Sequence, residues 1–102
     1  MSENLRDLEV YPAFHNFTAS TTTTEILLPS ACSQISIGSP SKDIYVCRNG
    51  ATDNGTLPTH RMTVPKSNYI VLRLGRGMNR PNSMFVASSN ATAEISIVLE
   101  EL

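Results

Sequence analysis

The stretch Ala91-Thr-Ala-Glu-Ile-Ser-Ile-Val-Leu-Glu100 carries the clearest structural information in this sequence. Every second position in it is apolar: Ala91, Ala93, Ile95, Ile97 and Leu99. Successive side chains of a β-strand point to opposite faces of a sheet. A period of two therefore predicts a strand with one buried face and one solvent-facing face.

Six shorter stretches earlier in the chain show a similar alternation or a short apolar run. They fall within residues 24–28, 34–38, 43–48, 62–64, 68–74 and 83–87. Clusters of Gly, Pro, Asn and Ser, which favour turns, separate most of them. The pattern predicts an all-β fold: a single β-sandwich, jelly-roll or immunoglobulin-like, with about seven short antiparallel strands.

The composition agrees with one small domain, because 102 residues leave no room for two. Only 17% of the residues are charged, below the usual ~25%, which suits strands better than helices. No basic segment followed by an apolar run begins the sequence, and no apolar stretch approaches the ~18 residues of a membrane span. We therefore expect a protein that is made in a cytoplasm, is not secreted through a signal peptide and does not contact a membrane.

Residues 1–20 differ from the rest of the chain, because they alternate poorly and contain half of the aromatic residues: Tyr11, Phe14 and Phe17. They form either an extension that packs along its own sandwich or an arm that lies on a neighbouring subunit or partner. We predict an extended N-terminal arm over residues 1–20 and a sandwich domain over residues 21–102. The three aromatic residues are candidate partner contacts.

Charge is unevenly distributed, although the net charge is only −1. Residues 44–93 carry six bases and one acid, whereas the remaining segments together carry eight acids and two bases. Such acidic ends and a basic middle would attract each other across subunit boundaries or steer docking on a charged lattice.

The densest basic run contains Arg73, Arg76 and Arg80 with glycines between them. Arginine forms forked hydrogen bonds to carboxylates and phosphates, so these three residues are candidate partner contacts. A solvated hairpin loop is the simpler alternative. Nucleic acid is disfavoured because the domain is not basic overall and no aromatic residues interleave the run.

No catalytic, cofactor or metal signature is evident. Cys32, Cys47, His15 and His60 lack metal-ligand spacing, and the sequence has no nucleophile elbow, P-loop or dinucleotide fingerprint. We predict that the chain is not an enzyme and has no cofactor and no metal; a hydrolase with a cryptic site is an alternative. The two cysteines are expected to be reduced thiols, with a disulfide as the alternative.

Two sets of segments resemble a recurrent sequence pattern of strands and strand ends in small virion proteins of tailed phages. The first set is residues 22–28 followed by Pro29-Ser-Ala, then Gln34-Ile-Ser-Ile-Gly38, then Asp43-Ile-Tyr-Val-Cys47. The second set is Thr63-Val-Pro65, Asn68-Tyr-Ile-Val-Leu72, Phe85-Val-Ala-Ser-Ser-Asn90 and Ala93-Glu-Ile-Ser-Ile-Val98. The resemblance covers about residues 22–100 and transfers no residue role to this chain.

The resemblance implies a structural protein of a virion, best matched by capsid decoration or cement proteins. These are small sandwiches, often trimeric, that bind and stabilise the major capsid lattice. The implied partners are the major capsid protein or another virion protein, together with further copies of the chain, a trimer being favoured. Structural modules of the tail, neck or fibre base are close alternatives. A carbohydrate- or receptor-binding module is an alternative from another class, with Tyr45 and Tyr69 as its candidate contacts.

Overall fold

The computed structural model describes residues 2–52, 54–75 and 80–101. These residues form nine β-strands and contain no helix. In chain order the strands are β1 (Ser2–Asn4), β2 (Ala13–Ala19), β3 (Thr24–Leu27), β4 (Gln34–Gly38), β5 (Ile44–Cys47), β6 (Arg61–Val64), β7 (Tyr69–Arg73), β8 (Ser83–Ser88) and β9 (Ala93–Glu100).

All seven predicted strands are present, as β3 to β9. Their ends lie within one or two residues of the predicted ends. The all-β class predicted from the alternation is therefore confirmed, with two more strands than the alternation indicated.

The two additional strands lie within residues 1–20. β2 pairs with β9 along all seven of its residues, and β1 pairs with β3. Of the two alternatives for residues 1–20, the structure therefore agrees with packing along the chain's own domain, because these residues contribute a strand to each of its two sheets. The physical reason is that an extended backbone needs hydrogen-bond partners, which the neighbouring strands supply. All pairs among the seven predicted strands are antiparallel, as expected, and the one parallel pair of the described residues joins β3 to the additional strand β1.

The strands form two sheets. The five-stranded sheet has the order β1-β3-β8-β5-β6, and the four-stranded sheet has the order β2-β9-β4-β7. From β2 onward the chain pairs like a long ribbon folded back on itself: β2 with β9, β3 with β8, β4 with β7 and β5 with β6. Pairing of β4 with β9 and of β5 with β8 completes the two sheets.

One hydrophobic cluster contains residues of both sheets. The four-stranded sheet contributes Ile35, Ile37, Ile95, Ile97 and Leu99, and the five-stranded sheet contributes Ile26, Ile44, Val64 and Val86. These side chains are at most 1% exposed. They occupy the alternating positions that the sequence predicted to be buried, and each contributes on the order of 1.5–3 kcal/mol through burial.

The two sheets end on two opposite sides of the molecule. On the side of β1 and β2, His15 Nε2 lies 2.8 Å from Glu3 Oε1 and links the two strands. On the side of β6 and β7, Met62, Ile70 and Leu72 line an apolar cleft of about 200 Å³ together with residues of β5 and β8. We call these the β1/β2 side and the β6/β7 side.

Candidate binding surface

The outer face of the four-stranded sheet presents apolar side chains to solvent. The strand registers place Phe14 of β2 beside Val98 of β9, then Ser36 of β4, then Val71 of β7. Phe14 is 71% exposed, Val71 is 50% exposed and Val98 is half-buried. We call this set the apolar row. Although Ser36 separates the two valines, the row places exposed apolar side chains on one face of the sheet, which makes this face the candidate interaction surface.

A shallow depression lies beside the apolar row. Small residues, Ser36 and Ser96, form part of its lining, and Tyr69 stands at its border with 70% of its surface exposed. The depression encloses about 280 Å³. It continues past Gly38 towards the loop that precedes β7.

Gly38 allows β4 and β7 to approach each other at this depression. A Cβ atom added to Gly38 would collide with the carbonyl oxygen of Asn68 and the Cβ atom of Tyr69. Because backbone can shift less readily than a flexible side chain, only glycine fits at this position. The position of Tyr69 therefore depends on a residue of the neighbouring strand.

Polar and charged side chains border the apolar row. The next row along the strands contains Glu100, Gln34 and Arg73, and Gln34 Nε2 donates to Glu100 Oε1 at 3.3 Å. Thr18 and Glu94 pair further along β2 and β9, beyond Asn16 and Ser96. An apolar centre with a polar rim is the usual anatomy of a protein–protein interface.

The three aromatic residues predicted as partner contacts have different environments. Phe14 lies in the apolar row. Phe17 packs against the core, with its ring 5.9 Å from the ring of His15. Tyr11 also packs against the core and donates its hydroxyl to the carbonyl oxygen of Leu8 at 3.0 Å. Burial raises the pKa of Tyr11 above its ordinary value. Of the three predicted contacts, Phe14 is the one whose side chain is exposed.

The three arginines predicted as partner contacts also divide. Arg73 is exposed at the end of β7, beside Gln34. Arg80 binds its own chain instead: Nε donates to the carbonyl oxygen of Cys32 at 3.0 Å and Nη2 to that of Pro29 at 2.6 Å. Arg80 therefore fixes the loop between β3 and β4, which corrects its assignment as a partner contact. Arg76 lies outside the described residues.

Cys32 and Cys47 are buried and unpaired, as predicted. Burial raises the pKa of both thiols above the ordinary value. Both are therefore protonated at neutral pH, which makes them poor nucleophiles.

Within residues 2–52, 54–75 and 80–101, no group of three or more His, Cys, Asp and Glu side chains is placed to hold a metal ion. In the same part of the chain, no helix has the length and hydropathy to cross a membrane.

Val71 and Val98 were not predicted to be surface residues. Val98 stands where β9 otherwise places Glu94, Ser96 and Glu100 outward. Val71 lies between the inward-facing Ile70 and Leu72. An apolar residue at a polar position of an alternating strand is the signal that identifies such a surface residue.

Comparison of the chain with protein-family models, curated proteins and solved structures found no match.

Proposed function

We propose that this chain is a virion structural protein that docks on the major capsid lattice of a tailed phage, as capsid decoration or cement proteins do. The observation that supports docking is the apolar row with its polar border on the four-stranded sheet. The identity of the target comes from the sequence resemblance over residues 22–100 and is an argument by analogy.

We further infer that the two sheets form a β-sandwich of the jelly-roll type. Two observations support it: one core cluster shared by both sheets, and the folded-ribbon pairing of β2 to β9. Jelly rolls recur in viral capsid proteins and in lectins. The arrangement therefore favours the virion proposal and, as a second candidate, carbohydrate binding.

Docking of this protein on an assembled shell would stabilise the shell by mass action, because the protein would bind the assembled capsid subunits and not the dissociated ones. Phe14 and Tyr69 are the expected anchors of the interface. Truncation of an anchoring aromatic residue costs about 2 kcal/mol or more of binding energy, whereas truncation of rim residues costs little.

Co-sedimentation with capsid shells tests the proposal. The shells are assembled from the major capsid protein encoded in the same genome, and bound protein is measured for the wild type, Phe14→Ser and Val10→Ser. Val10 is 83% exposed but lies outside the strands, so Val10→Ser is the matched control. We expect Phe14→Ser to weaken binding at least about 10-fold, the equivalent of 1.4 kcal/mol, and Val10→Ser to bind like the wild type.

Two outcomes would contradict the proposal. Full binding by Phe14→Ser would show that the apolar row is not the docking surface. If the wild type sedimented with purified tails or necks and not with shells, the tail or neck module would replace the decoration protein as the proposed function.

The second candidate function is carbohydrate binding at Tyr69. The exposed Tyr69 ring lines a depression together with the polar residues Ser67, Asn68 and Ser96. An aromatic ring that stacks on the apolar face of a sugar, with polar groups next to it, is a suitable site for a saccharide. A glycan array probed with the wild type and Tyr69→Ala tests it. Binding lost in Tyr69→Ala supports this function, and the absence of any wild-type binder contradicts it.

A further inference from the structure

We propose that copies of this chain associate head to tail, with the β7 edge of one copy adding to the β2 edge of the next. The four-stranded sheet then continues across the interface. This association does not depend on the proposed capsid target.

Both edge strands direct backbone hydrogen-bonding groups away from their sheet. The Leu74 N–H donates to the carbonyl oxygen of Ser33 at 2.8 Å. Backbone groups of an antiparallel pair point alternately towards and away from the partner strand, so this bond establishes which residues of β7 direct their backbone groups towards β4. By that alternation Ile70 and Leu72 face β4, whereas the backbone groups of Tyr69, Val71 and Arg73 point outward.

The same alternation can be followed across β9 to the other edge of the sheet. It places the backbone groups of Phe14, Asn16 and Thr18 outward on β2. Within the described residues, β2 pairs with β9 alone and β7 with β4 alone. Each edge therefore offers three residues with free backbone groups.

These edges lack the features that normally prevent pairing between molecules. Natural edge strands are blunted by charged side chains, proline, bulges or short length. β2 has seven residues with no Lys, Arg, Asp, Glu or Pro among them, and β7 has one charged residue, Arg73, at its end. Such edges are templates for another strand.

Strand direction is compatible with pairing of β7 and β2 from different copies. All neighbours in the order β2-β9-β4-β7 are antiparallel, so β7 runs opposite to β2. A second copy in the same orientation therefore brings its β2 antiparallel to β7 and continues the existing pattern.

Apolar groups on both faces of the sheet gain cover from this pairing. On the outer face, Val71 of one copy comes beside β2 of the next, where Phe14 is exposed. On the inner face, the half-buried Ile70 and Leu72 meet the side of the next copy that carries the half-buried Phe17. The apolar cleft on the β6/β7 side lies next to the same contact.

Charge favours head-to-tail association over a symmetric dimer. Residues 61–73, which form the β6/β7 side, contain Arg61, Lys66 and Arg73 and no acid. Residues 2–19, which form the β1/β2 side, contain three acids and one base. Pairing β7 with β7 would bring two basic sides together, which repel each other, whereas β7 with β2 joins opposite signs.

Two proline variants test the proposal. Asn16→Pro removes an outward N–H from β2, and Val71→Pro removes one from β7; neither breaks a hydrogen bond within the sheet. Asn16→Pro keeps its β7 edge and Val71→Pro keeps its β2 edge. Asn16→Ala and Val71→Ala, which keep the N–H, are the matched controls, and circular dichroism with thermal melting checks that all four variants fold.

Analytical ultracentrifugation measures the mass of each variant at about 100 μM, a concentration well above a micromolar Kd. We expect the wild type and both alanine variants to exceed the monomer mass of 11.1 kDa. Each proline variant alone should sediment as a monomer. Their equimolar mixture should form a dimer, because each variant supplies the edge that the other lacks. A finite wild-type mass of three or more chains indicates a closed ring, and a mass that grows with concentration indicates a filament; both support head-to-tail contact, whereas a mass that stops at two chains indicates a symmetric dimer.

Three results overturn the proposal. The first is a wild type that stays monomeric up to about 1 mM, where even weak association becomes visible. The second is dimerisation of one proline variant by itself, which indicates symmetric pairing. The third is a mixture of folded proline variants that remains monomeric.

A charge reversal provides the test if a proline variant does not fold. Arg73→Glu places an acid on β7 facing the acidic side of the next copy. We therefore expect the variant to associate at least about 10-fold more weakly than the wild type, a difference of 1.4 kcal/mol. Association of the wild type should also weaken between about 0.05 and 0.5 M salt, because screening increases. If Arg73→Glu associates like the wild type and salt does not alter the sedimentation of the wild type, charge does not direct a head-to-tail contact.

Discussion

Arg73 and Arg80 belong to the same basic run but have opposite environments at the scale of the single residue. Arg73 is exposed on β7, whereas Arg80 donates to the carbonyl oxygens of Pro29, Cys32 and Pro81. The sequence could not distinguish them, because two of the acceptors of Arg80, Pro29 and Cys32, lie about 50 residues earlier in the chain. Residue type and local spacing contain no information about such a contact.

Replacement of these two arginines should affect stability very differently. Arg80→Ala leaves two loop carbonyl groups without their charged donor and should lower the free energy of unfolding by about 1–3 kcal/mol. Arg73→Ala should change it by less than about 0.5 kcal/mol, as exposed substitutions do. Urea denaturation of both variants measures the difference. Equal losses would show that Arg80 is not held by the β3–β4 loop in solution.

The buried cysteines predict a dependence of stability on alkaline pH. Desolvation by burial raises the pKa of Cys32 and Cys47 above the ordinary value of 9.0, so the folded state holds their protons more tightly than the unfolded state. Their contribution to stability is therefore complete below pH 9 and decreases as the pH rises through and above that value. We expect the double variant Cys32→Ala, Cys47→Ala to lose less stability than the wild type between pH 8 and pH 10.5 in denaturant titrations. An identical loss in both proteins would exclude the thiols as the cause.

At the scale of the element, β2 shows where the alternation of the sequence fails as a guide. Its inward positions are Ala13, His15, Phe17 and Ala19, and the outward Phe14 is apolar. A histidine facing inward and a phenylalanine facing outward hide the period of two. The strand was therefore mistaken for part of an arm, whereas β9, with aliphatic residues inward, was predicted within two residues.

The candidate surface was predictable from the sequence only in part. Phe14 and Arg73 were named as candidates, because an aromatic-rich segment and a run of arginines are conspicuous in the sequence. Val98 lies on β9, and Tyr69 and Val71 lie on β7; these strands come beside Phe14 of β2 only through the registers of β2, β4, β7 and β9. Pairing between distant strands had to be known before these residues could be recognised as one surface.

The two phenylalanines of β2 should respond in opposite ways to truncation. Phe17→Ala removes a ring packed against the core and should cost about 3 kcal/mol of unfolding free energy. Phe14→Ala removes a ring that is 71% exposed and should cost less than about 0.5 kcal/mol. Thermal and urea unfolding give both values. A large loss in Phe14→Ala would mean that this ring is packed in solution.

At the scale of the whole molecule, the first and last parts of the chain hold each other in place. Ala13 pairs with Leu99 and Ala19 with Ala93, so β2 closes the edge of the longest buried strand. Folding must therefore bring together segments that are far apart in sequence. Topologies dominated by such contacts fold on the scale of milliseconds to seconds.

Deletion of residues 2–19 should abolish folding, because it removes β1, β2 and the buried side chains of Leu5, Ala13 and Ala19. The control deletion of residues 2–4 removes only β1 and should leave a folded protein of reduced stability. Far-UV circular dichroism and thermal melting distinguish the two. Cooperative melting of the chain lacking residues 2–19 at the wild-type temperature would show that β1 and β2 are not needed for the fold.

The antiparallel β2–β9 pair also determines how the molecule responds to mechanical force. Because Ala13 lies opposite Leu99, the two chain ends leave this pair at the same end of the ribbon. Once the three residues of β1 have detached, tension between the termini acts on one hydrogen-bonded pair at a time, so the ribbon opens like a zip rather than shearing as a whole. We expect the protein to resist pulling through its termini weakly, and to resist pulling along its strands from interior attachment points much more strongly.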